Sequence, residues 1–491
     1  MLARFAPVSE IASPAAPRYA VTGWASSLPL ILTAAFAARL LAMALPGYIY
    51  HPDETFQVLE AGHRLAFGYG FIPWEYEVGL RNWLLPGAIA AILRGLALGG
   101  LDRPSIYVPF IQIFFCLLSL TAVASAWTIG RVSAGLKGAR AAAWVVALLP
   151  IDLLVAQKAT PEVLSSYALL GALAFALAEE TRARALATGA LCGLAVGLRL
   201  QHAPVALVPF FLVATRPTPS LARAALCIAG GVLALLPFGL ADWIAWGIPF
   251  VSYWRNVTIN LSGVANQFGT SPWHMFLPLL VPIALLRADL QRFWPAALMA
   301  CIVVFTHSVI AHKEWRFVVA FWPLAGAFCG VGLSRADGPG LRRVTALALL
   351  ALLGSCQFAA IGAKYDFHRE PLDEAREAFR LMGDDPTVRG IVVSDLRALQ
   401  PGYFGLHRQV PVRLVAPDGI AAVAGVTHAL VPVETPPDPA FEPVWRGRYL
   451  ELRRRRAIDA SAPPIAFRFV LPLVYDETDH RLHERTDRLE D

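Results

Sequence analysis

The sequence has few charges and few cysteines for its length. Charged residues make up 16% of its 491 residues, whereas soluble domains carry roughly 25%. All six cysteines fall inside apolar runs and none forms a Cys-x-x-Cys pair, so we infer neither disulfides nor a thiolate metal site. No P-loop, GxGxxG, HExxH or GxSxG signature occurs, and the sequence therefore gives no sign of a nucleotide site or a zinc-protease site.

Long apolar runs dominate what is present. The chain is 56% hydrophobic with a mean hydropathy of +0.53, and runs near 20 residues recur between residues 28 and 362, which predicts a polytopic helical membrane protein. We interpret residues 84–98 as an interfacial or re-entrant helix, and residues 1–27 as a tail before an uncleaved first helix. We expect about eleven transmembrane helices, at 28–46, 105–129, 141–156, 162–178, 186–200, 203–214, 222–240, 273–286, 293–311, 316–333 and 341–361.

The placement of charge predicts the orientation. With the N-terminus inside, the predicted inner loops hold twelve Arg or Lys against four acids, which is the positive-inside pattern. These loops explain the net charge of +6 better than nucleic-acid binding does. Only four of the 42 basic residues are Lys, which with abundant Ala, Leu and Gly suggests a GC-rich bacterial genome. We therefore expect a multi-pass protein of the bacterial inner membrane with its outer loops in the periplasm.

The composition changes after the last predicted span. Residues 363–491 are rich in Arg, Asp, Glu and Pro, which predicts a water-exposed domain on the outer side. Short β-like runs at 390–394 and 429–433, preceded by a helical stretch at 372–381, predict a small α/β fold. The expected domain division is thus a tail at 1–27, a membrane domain at 28–362 with a long first external loop at 47–104, and a soluble domain at 363–491.

The polar stretch from His51 to Glu60 follows the first span. It places three carboxylates, a histidine and a glutamine within ten residues at a membrane boundary, where ionisable groups are costly unless they serve a site or a pathway. On an α-helix, Asp53 and Glu54 would point about 100° apart, and Glu60 would return to the Asp53 face. We expect one inward carboxylate with supporting polar groups rather than a dyad that shares a proton. An ordinary solvated loop is the alternative.

Other polar clusters also fall in the predicted outer loops. Trp74, Glu75 and Arg81 suit either an anchor at the lipid interface or a platform for a sugar. Lys158 and Glu162 end consecutive helices and are compatible with a simple salt bridge.

Two further loops carry cations and aromatic rings. Arg199 lies near a boundary, where snorkelling is the plain explanation, and His274 ends an aromatic, amide-rich loop. The run His312-Lys313-Glu314-Trp315-Arg316 places cations in a predicted outer loop, against the positive-inside rule. These cations therefore call for a functional explanation. Lys supplies a point charge and Arg a planar fork, and both suit a phosphate.

Five runs occur in a fixed order along residues 30–335: His51-Pro-Asp-Glu with Phe56-Gln57 and Glu60, Tyr69-Gly70 with Trp74-Glu75, Leu80-Arg81, Gly269 to His274, and His312-Lys313-Glu314 with Arg316-Phe317. Together they resemble glycosyltransferase family 22, the mannosyltransferases that act on glycosylphosphatidylinositol precursors and dolichol-linked oligosaccharides. This chain has Pro73, Asn82 and Trp315 where that family usually has Thr, Ser and Glu.

The resemblance implies a GT-C fold and an inverting transfer on the non-cytoplasmic side. The donor would be a sugar, expected to be mannose, linked to a polyprenyl or dolichyl phosphate, and the acceptor a hydroxyl of a lipid-linked glycan or glycolipid. The attacking hydroxyl must lose its proton, and a positioned carboxylate can take it. Asp53 is the expected base and Glu54 the alternative. We expect membrane lipids as surroundings and neither a cofactor nor a metal.

The leaving lipid phosphate keeps its charge and needs cations more than an acid. Lys313 and Arg316 fit that role, with His312 as an orienting group and Arg199 as a further candidate. The expected substrate-binding residues are Gln57, Glu60, Trp74, Glu75, Arg81 and His274.

Two alternatives remain open. A transporter or flippase of a lipid-linked sugar would also place charges near helix ends, but transporters usually bury ionisable groups near the midplane and show repeated halves. Here the charges collect on one predicted face and no repeat is seen. A non-catalytic glycan-binding protein would not need a base together with a phosphate site.

Overall fold

The computed structural model describes residues 27–44, 52–178, 180–286, 290–334, 340–366, 369–457, 473–476 and 478–484. The predicted tail lies outside these ranges except for Ser27, and so does His51. The described residues divide into two compact units. The first takes in positions up to 44, 113–239 and 268–359, and the second takes in 45–112, 240–267 and 360–491.

Helices make up most of the chain. Pro104, Pro150 and Pro161 each begin a helix, at the position where a missing N–H costs least. The helices are α1 (Leu28–Met43), α2 (Glu60–Phe67), α3 (Trp74–Glu77), α4 (Leu84–Leu98), α5 (Pro104–Leu148), α6 (Pro150–Val155), α7 (Pro161–Leu177), α8 (Arg182–Leu198), α9 (Ala203–Thr215), α10 (Leu221–Trp246), α11 (Val251–Leu261), α12 (Val281–Leu285), α13 (Leu290–Ser308), α14 (Phe321–Leu333) and α15 (Leu341–Asp366).

Within the described residues each predicted span consists mainly of helix, so the all-helical membrane fold is confirmed. The span at 273–286 is mostly a 3₁₀-helix, Trp273–Leu280. Three helical segments in the described ranges are long and apolar enough to cross a membrane by length and composition, namely α5, α10 and Trp315–Leu333. Six further apolar helices are 10–17 residues long, and α4 is one of them.

The 45-residue helix α5 contains a reversal. Its backbone leaves helical geometry at Ala134 and Gly135, where φ of Gly135 is 65°. A Cβ added at Gly130 would meet the backbone of Gly138, although residues eight apart on a straight helix would be about 12 Å apart. The segment is therefore two helices joined by a tight turn, as the separate predicted spans require.

Glycines bring α8 and α10 into backbone contact. A Cβ on Gly189 would overlap the Cys227 carbonyl, and one on Gly193 would overlap Gly231. From the other side, a Cβ on Gly230 would overlap the carbonyl of Leu186. Small residues four apart let membrane helices approach closely, because packing replaces the hydrophobic effect as the attraction between them.

Gly189→Leu should separate α8 from α10 and lower the free energy of unfolding by about 3 kcal/mol, near the upper end of overpacking costs. Thermal melting in detergent measures the effect. Gly95→Leu is the matched control, since Gly95 lies mid-helix in α4 with open space around its Cβ position. Equal melting temperatures for the two variants would contradict this packing.

The C-terminal segment forms the expected small α/β fold. Its elements are α16 (Arg369–Asp384), β1 (Ile391–Val393), α17 (Gly402–Leu406), β2 (Val412–Leu414), β3 (His428–Pro432), β4 (Phe441–Arg446) and β5 (Leu450–Arg455), with a separate hairpin of β6 (Leu473–Asp476) and β7 (Arg481–Glu484). The five-stranded sheet has the order β2-β1-β3-β5-β4. Strands β2, β1 and β3 are parallel, and β3, β5 and β4 are antiparallel.

Helix α16 covers this sheet with one apolar face. Ala375, Ala378, Phe379 and Met382 are fully buried at the i, i+3, i+4, i+7 spacing of an amphipathic helix. They share a core with β1, β3 and β5, and also with Tyr69 and Phe71 of the first loop. Part of the first predicted external loop thus belongs to the same core as the C-terminal segment.

Candidate active site

The polar stretch after α1 forms a widened helical turn. Asp53 precedes a π-helical segment, Glu54–Leu59, and α2 follows. The N–H of Glu60 bonds to the carbonyl of Thr55, five residues back, instead of four as in an α-helix. The expectation that Glu60 shares a face with Asp53 assumed α-helical spacing throughout. It is therefore wrong, since the widened turn changes the register between the two residues.

Asp53 lies near a buried cluster built around Glu75. Gln57 donates from Nε2 to Glu75 Oε1 at 2.8 Å, and the Tyr76 hydroxyl donates to the Gln57 carbonyl at 2.6 Å. Burial raises the pKa of the Glu75 carboxyl, while the charge of Arg81 lowers it and the charge of Asp53 raises it. The structure thus brings together four residues predicted for the site, Asp53, Gln57, Glu75 and Arg81.

Arg81 has an unused donor within the described part of the chain. Its Nε is buried and has no hydrogen-bond partner there. An unpaired buried donor costs roughly 1–3 kcal/mol, so a ligand oxygen at this position would be favoured. The next residue fixes the segment, because Asn82 donates to Asp242 at 2.6 Å, and Asp242 also accepts from the amide and hydroxyl of Ser252 at 2.9 and 2.6 Å.

Two predicted substrate contacts lie beside aromatic neighbours. The partly exposed ring of Trp74 packs against Tyr475 of β6 at 5.8 Å between centroids. His274 is exposed, and its ring lies 5.8 Å from that of Trp273. Their roles toward a substrate stay predictions.

Glu60 is used structurally. Its fully buried carboxylate accepts N–H bonds from Phe71 at 2.7 Å, Tyr403 at 3.0 Å and Phe404 at 2.8 Å. Burial raises the pKa of Glu60 to about 7, although the three N–H donors and the charge of Arg64 act to lower it. These contacts occupy the carboxylate, and they give no support to the predicted substrate-binding role of Glu60.

One turn further along α2, His63 makes a hydrogen bond with His407, which directly follows α17. Its Nδ1 donates to the Tyr69 carbonyl at 3.1 Å, so Nε2 must accept from His407 Nδ1 at 2.9 Å. The far nitrogen of His407 lies 3.9 Å from Asp102. Burial and the neighbouring His407 lower the pKa of His63 to about 3, and the ring is therefore neutral at pH 7.

This burial of His63 predicts a loss of stability in acid. Its folded pKa lies below the unfolded value of about 6.5, so its contribution is present above pH 6.5 and is lost as the pH falls. Between pH 7 and 5, the free energy of unfolding of the wild type should fall by about 2 kcal/mol more than that of His63→Gln. Glu60 acts in the opposite sense, since its raised pKa favours folding at lower pH, but that term is common to both proteins. Parallel pH–stability curves would contradict the prediction.

In the first unit, one buried carboxylate gathers two arginines from different segments. Glu162 in the first turn of α7 lies 3.1 Å from Arg199, at the end of α8, and 3.4 Å from Arg316. The ring of Phe317 lies 5.5 Å from the Arg199 guanidinium and 5.4 Å from that of Arg316. Arg199 and Arg316, both predicted as phosphate ligands, are therefore neighbours.

His312 and Arg316 meet at a second carboxylate, Glu314. Arg316 Nε donates to Glu314, and His312 Nε2 lies 3.1 Å from Glu314 Oε1. His312 Nδ1 faces the Gly269 carbonyl at 2.7 Å. A carbonyl and an ionised carboxylate are both acceptors, so these two contacts fit an imidazole that donates from both nitrogens.

Lys313 binds the neighbouring loop. Its ammonium donates to the carbonyls of Ser271, at 3.1 Å, and Ile310, and the Ser271 amide donates to Ala311 at 3.0 Å. Two runs that the sequence separates by about 40 residues, Gly269–His274 and His312–Phe317, thus form one structure. We call Glu162, Arg199, His312, Lys313, Glu314 and Arg316 the cation cluster.

The family profile matches residues 30–365, more than half of the chain, and is that of the Alg9-like mannosyltransferase family. The chain belongs to the Alg9-like mannosyltransferase family. This confirms the family suggested by the five ordered runs.

Two named mannosyltransferases are similar to this chain in sequence. The chain is 27% identical over 423 residues to GPI mannosyltransferase 3 of Yarrowia lipolytica, covering 81% of this chain and 79% of that protein. It is 25% identical to GPI alpha-1,2-mannosyltransferase 3 of Xenopus laevis, over 66% of this chain and 63% of that protein.

A solved structure shares the fold. The crystal structure of ArnT from Cupriavidus metallidurans bound to undecaprenyl phosphate matches with a TM-score of 0.59 at 15% identity, over 88% of this chain and 98% of that one. The GT-C fold and the multi-pass membrane character of this Alg9-like mannosyltransferase family member are therefore confirmed.

Sequence reasoning missed several residues of these clusters. The sequence assigned Glu162 no role in the site, although a carboxylate in the first turn of a span needs a cation, and the structure supplies two arginines. Glu314 belongs to the run from His312 to Arg316, but the sequence predicts no site role for it. The contacts of Tyr403 and Phe404 with Glu60 cross about 340 residues, and no local signal marks them.

Proposed function

We propose that this chain is an inverting glycosyltransferase that moves mannose from a polyprenyl-phosphate donor to a hydroxyl of a lipid-linked glycan or glycolipid. The observation that carries the proposal is the composition of the cation cluster. Arg199, Lys313 and Arg316 supply three positive charges, and His312 a fourth when it is protonated, against the two carboxylates of Glu162 and Glu314. The cluster has a formal excess of one positive charge, or of two when His312 is protonated.

That excess suits the charge change of the reaction. A sugar–phosphate–lipid diester carries one negative charge, and the departing lipid phosphate carries roughly −1.5 to −2 near pH 7. Fixed cations that meet more charge as the bond breaks stabilise the transition state more than the ground state. The carboxylates keep Arg199, Arg316 and His312 oriented. The Lys313 ammonium has three donors. Within the described residues two of them reach carbonyls, which leaves the third for a phosphate oxygen.

Asp53 is the proposed base. The attacking hydroxyl becomes acidic only as its bond to the anomeric carbon forms, so a carboxylate in hydrogen-bond reach can take the proton. The neighbouring charge of Asp53 acts on Glu75, which in turn binds Gln57. We assign Glu75, Gln57 and the unused donor of Arg81 to sugar or acceptor hydroxyls, with Glu54 as the alternative base.

The proposed location follows the predicted topology. The soluble segment from residue 363 onward and the loops that carry both clusters would lie in the periplasm of a bacterial inner membrane. The membrane domain would span residues 28–362.

Asp53→Asn should reduce transfer by at least about 10²-fold, because the amide cannot accept the proton. Radiolabelled mannose from synthetic polyprenyl-phosphate-mannose is followed into lipid and protein fractions of membranes that carry the variant. Glu77→Gln is the matched control, an exposed carboxylate of the same loop. Turnover near wild type in Asp53→Asn would remove Asp53 from the mechanism.

Lys313→Met keeps the length of the side chain and removes its charge. We expect kcat/KM for the donor to fall by about 10²-fold, in the range found for loss of one electrostatic donor. Lys137→Met, at an exposed position of α5, controls for the general loss of a cation. Unchanged donor kinetics would show that Lys313 serves only the two loop carbonyls.

One observation favours the transporter alternative. Arg39 of α1 is buried within a predicted span, where it donates to Ser119 at 2.6 Å and to the carbonyls of Ala35 and Ala147 at 3.0 and 3.1 Å. These bonds are also those of a helix-packing arginine. Proteoliposomes that scramble a fluorescent lipid-linked sugar without forming a glycosylated product would favour transport over transfer.

A further inference from the structure

The widened turn that carries the proposed base is held at its far end by the C-terminal segment. Glu60 directly follows the turn, and two of its three N–H donors are the first amides of α17, from Tyr403 and Phe404. Gly402 stands at φ 59° beside them, and a Cβ there would overlap the Glu60 carboxylate. Only glycine leaves room for this contact.

The near end of the turn also meets the C-terminal segment. Phe56 packs against the core that includes Ala375 and Phe379 of α16. On the same helix, Arg376 lies close enough to Glu54 for their charges to attract. The turn is therefore contacted at both ends by elements that the sequence places more than 300 residues away.

We propose that the C-terminal segment positions the base: the amides of α17 hold Glu60, and Glu60 fixes the register of the turn that directs Asp53. This inference rests on the proposed function. Glu60 and Gly402 are accordingly positioning residues, which act through Asp53 and do not touch the substrate.

The π-type spacing of the turn makes the direction of Asp53 sensitive to the hydrogen bonds of Glu60. A π-type turn is rare and is frequently found at functional sites. If Glu54–Leu59 relaxed to α-helical spacing, each residue before Glu60 would rotate relative to it, by up to about 100° for a slip of one residue. A carboxylate displaced by even about 1 Å from its productive position can cost 10²-fold in rate. Loss of the Glu60 anchor therefore affects the chemical step rather than substrate affinity.

The chain supplies a matched control for the anchor. Glu374 of α16 also accepts three backbone N–H bonds, from Arg448 at 2.6 Å, Tyr449 at 2.9 Å and Leu450 at 2.7 Å. A Cβ on Gly447 would overlap its carboxylate, as one on Gly402 would overlap Glu60. The Glu374 contacts join α16 to the β4–β5 hairpin and do not involve the turn.

The experiment compares Glu60→Gln with Glu374→Gln in the full chain in proteoliposomes, using polyprenyl-phosphate-mannose. An amide presents an NH₂ group where an oxygen accepted an N–H, so both variants lose equivalent bonds. We expect kcat to fall about 10- to 100-fold in Glu60→Gln with KM for the donor within about threefold of wild type. In Glu374→Gln we expect kcat within about threefold of wild type at a comparable loss of melting temperature.

The pH profile gives a second readout that stability alone would not move. Because burial raises the pKa of Glu60 to about 7, kcat of the wild type should show an inflection near pH 7 that is absent in Glu60→Gln and kept in Glu374→Gln. Equal kcat losses in the two variants, or an unchanged profile in Glu60→Gln, would overturn the proposal.

A milder variant, Gly402→Ala, tests the same role if Glu60→Gln does not fold. Gly402→Ala keeps the carboxylate but displaces it, and it should lower kcat without changing KM, whereas Gly447→Ala should leave kcat within about threefold. If Gly402→Ala matched Gly447→Ala, the positioning role would be wrong. A wild-type protein without transfer activity would instead count against the proposed function itself.

Discussion

Glu162 holds Arg199 and Arg316 together, and the placement of both arginines in the cation cluster depends on that contact. Two guanidinium groups that share one neighbourhood repel each other unless a carboxylate lies between them. A buried carboxylate is equally costly without cations, and breaking such a group by removing one member costs roughly 3–5 kcal/mol. Each charge thus lowers the free-energy cost of burying the others at the end of a membrane helix.

The partial neutralisation of its positive charge suits the cation cluster to a phosphate that gains negative charge. Glu162 and Glu314 neutralise only part of the positive charge of Arg199, Lys313 and Arg316. The remaining positive charge is fixed in place before any ligand arrives, so it needs little reorganisation when a phosphate gains charge. The carboxylates around Asp53 have a different environment, since amides and an arginine with an unused Nε surround Glu75. The first cluster can receive negative charge, and the second can receive a proton.

Local sequence patterns were enough for the helices and for the α/β segment. The spacing of apolar residues placed α1, α7 and α9 to within a few residues, and the β-like runs located β1 and β3. The order of five short runs predicted the family, and the residues of the last two runs do lie together, through the bonds of His312 and Lys313 to the 269–271 segment.

Contacts across the chain could not be predicted in this way. The π-type turn after Asp53 follows no periodic pattern, because helical spacing is the default assumption for any polar run of that length. The anchoring of Glu60 by Tyr403 and Phe404 depends on which segments pack together. A single sequence carries the hydrogen-bonding capacity of these residues but not their partners. The sequence predicts a substrate contact for Glu60, and only the structure shows that its carboxylate accepts three backbone N–H bonds.

We propose that the cation cluster, rather than a metal or an acid, receives the charge of the lipid-phosphate leaving group. The most direct measurement follows transfer of radiolabelled mannose to lipid acceptors by the purified chain in proteoliposomes, with polyprenyl-phosphate-mannose or GDP-mannose as donor and with or without EDTA. We expect transfer from the lipid-linked donor alone, with release of polyprenyl phosphate and no change in EDTA. Transfer from GDP-mannose, or loss of transfer in EDTA, would contradict this proposal.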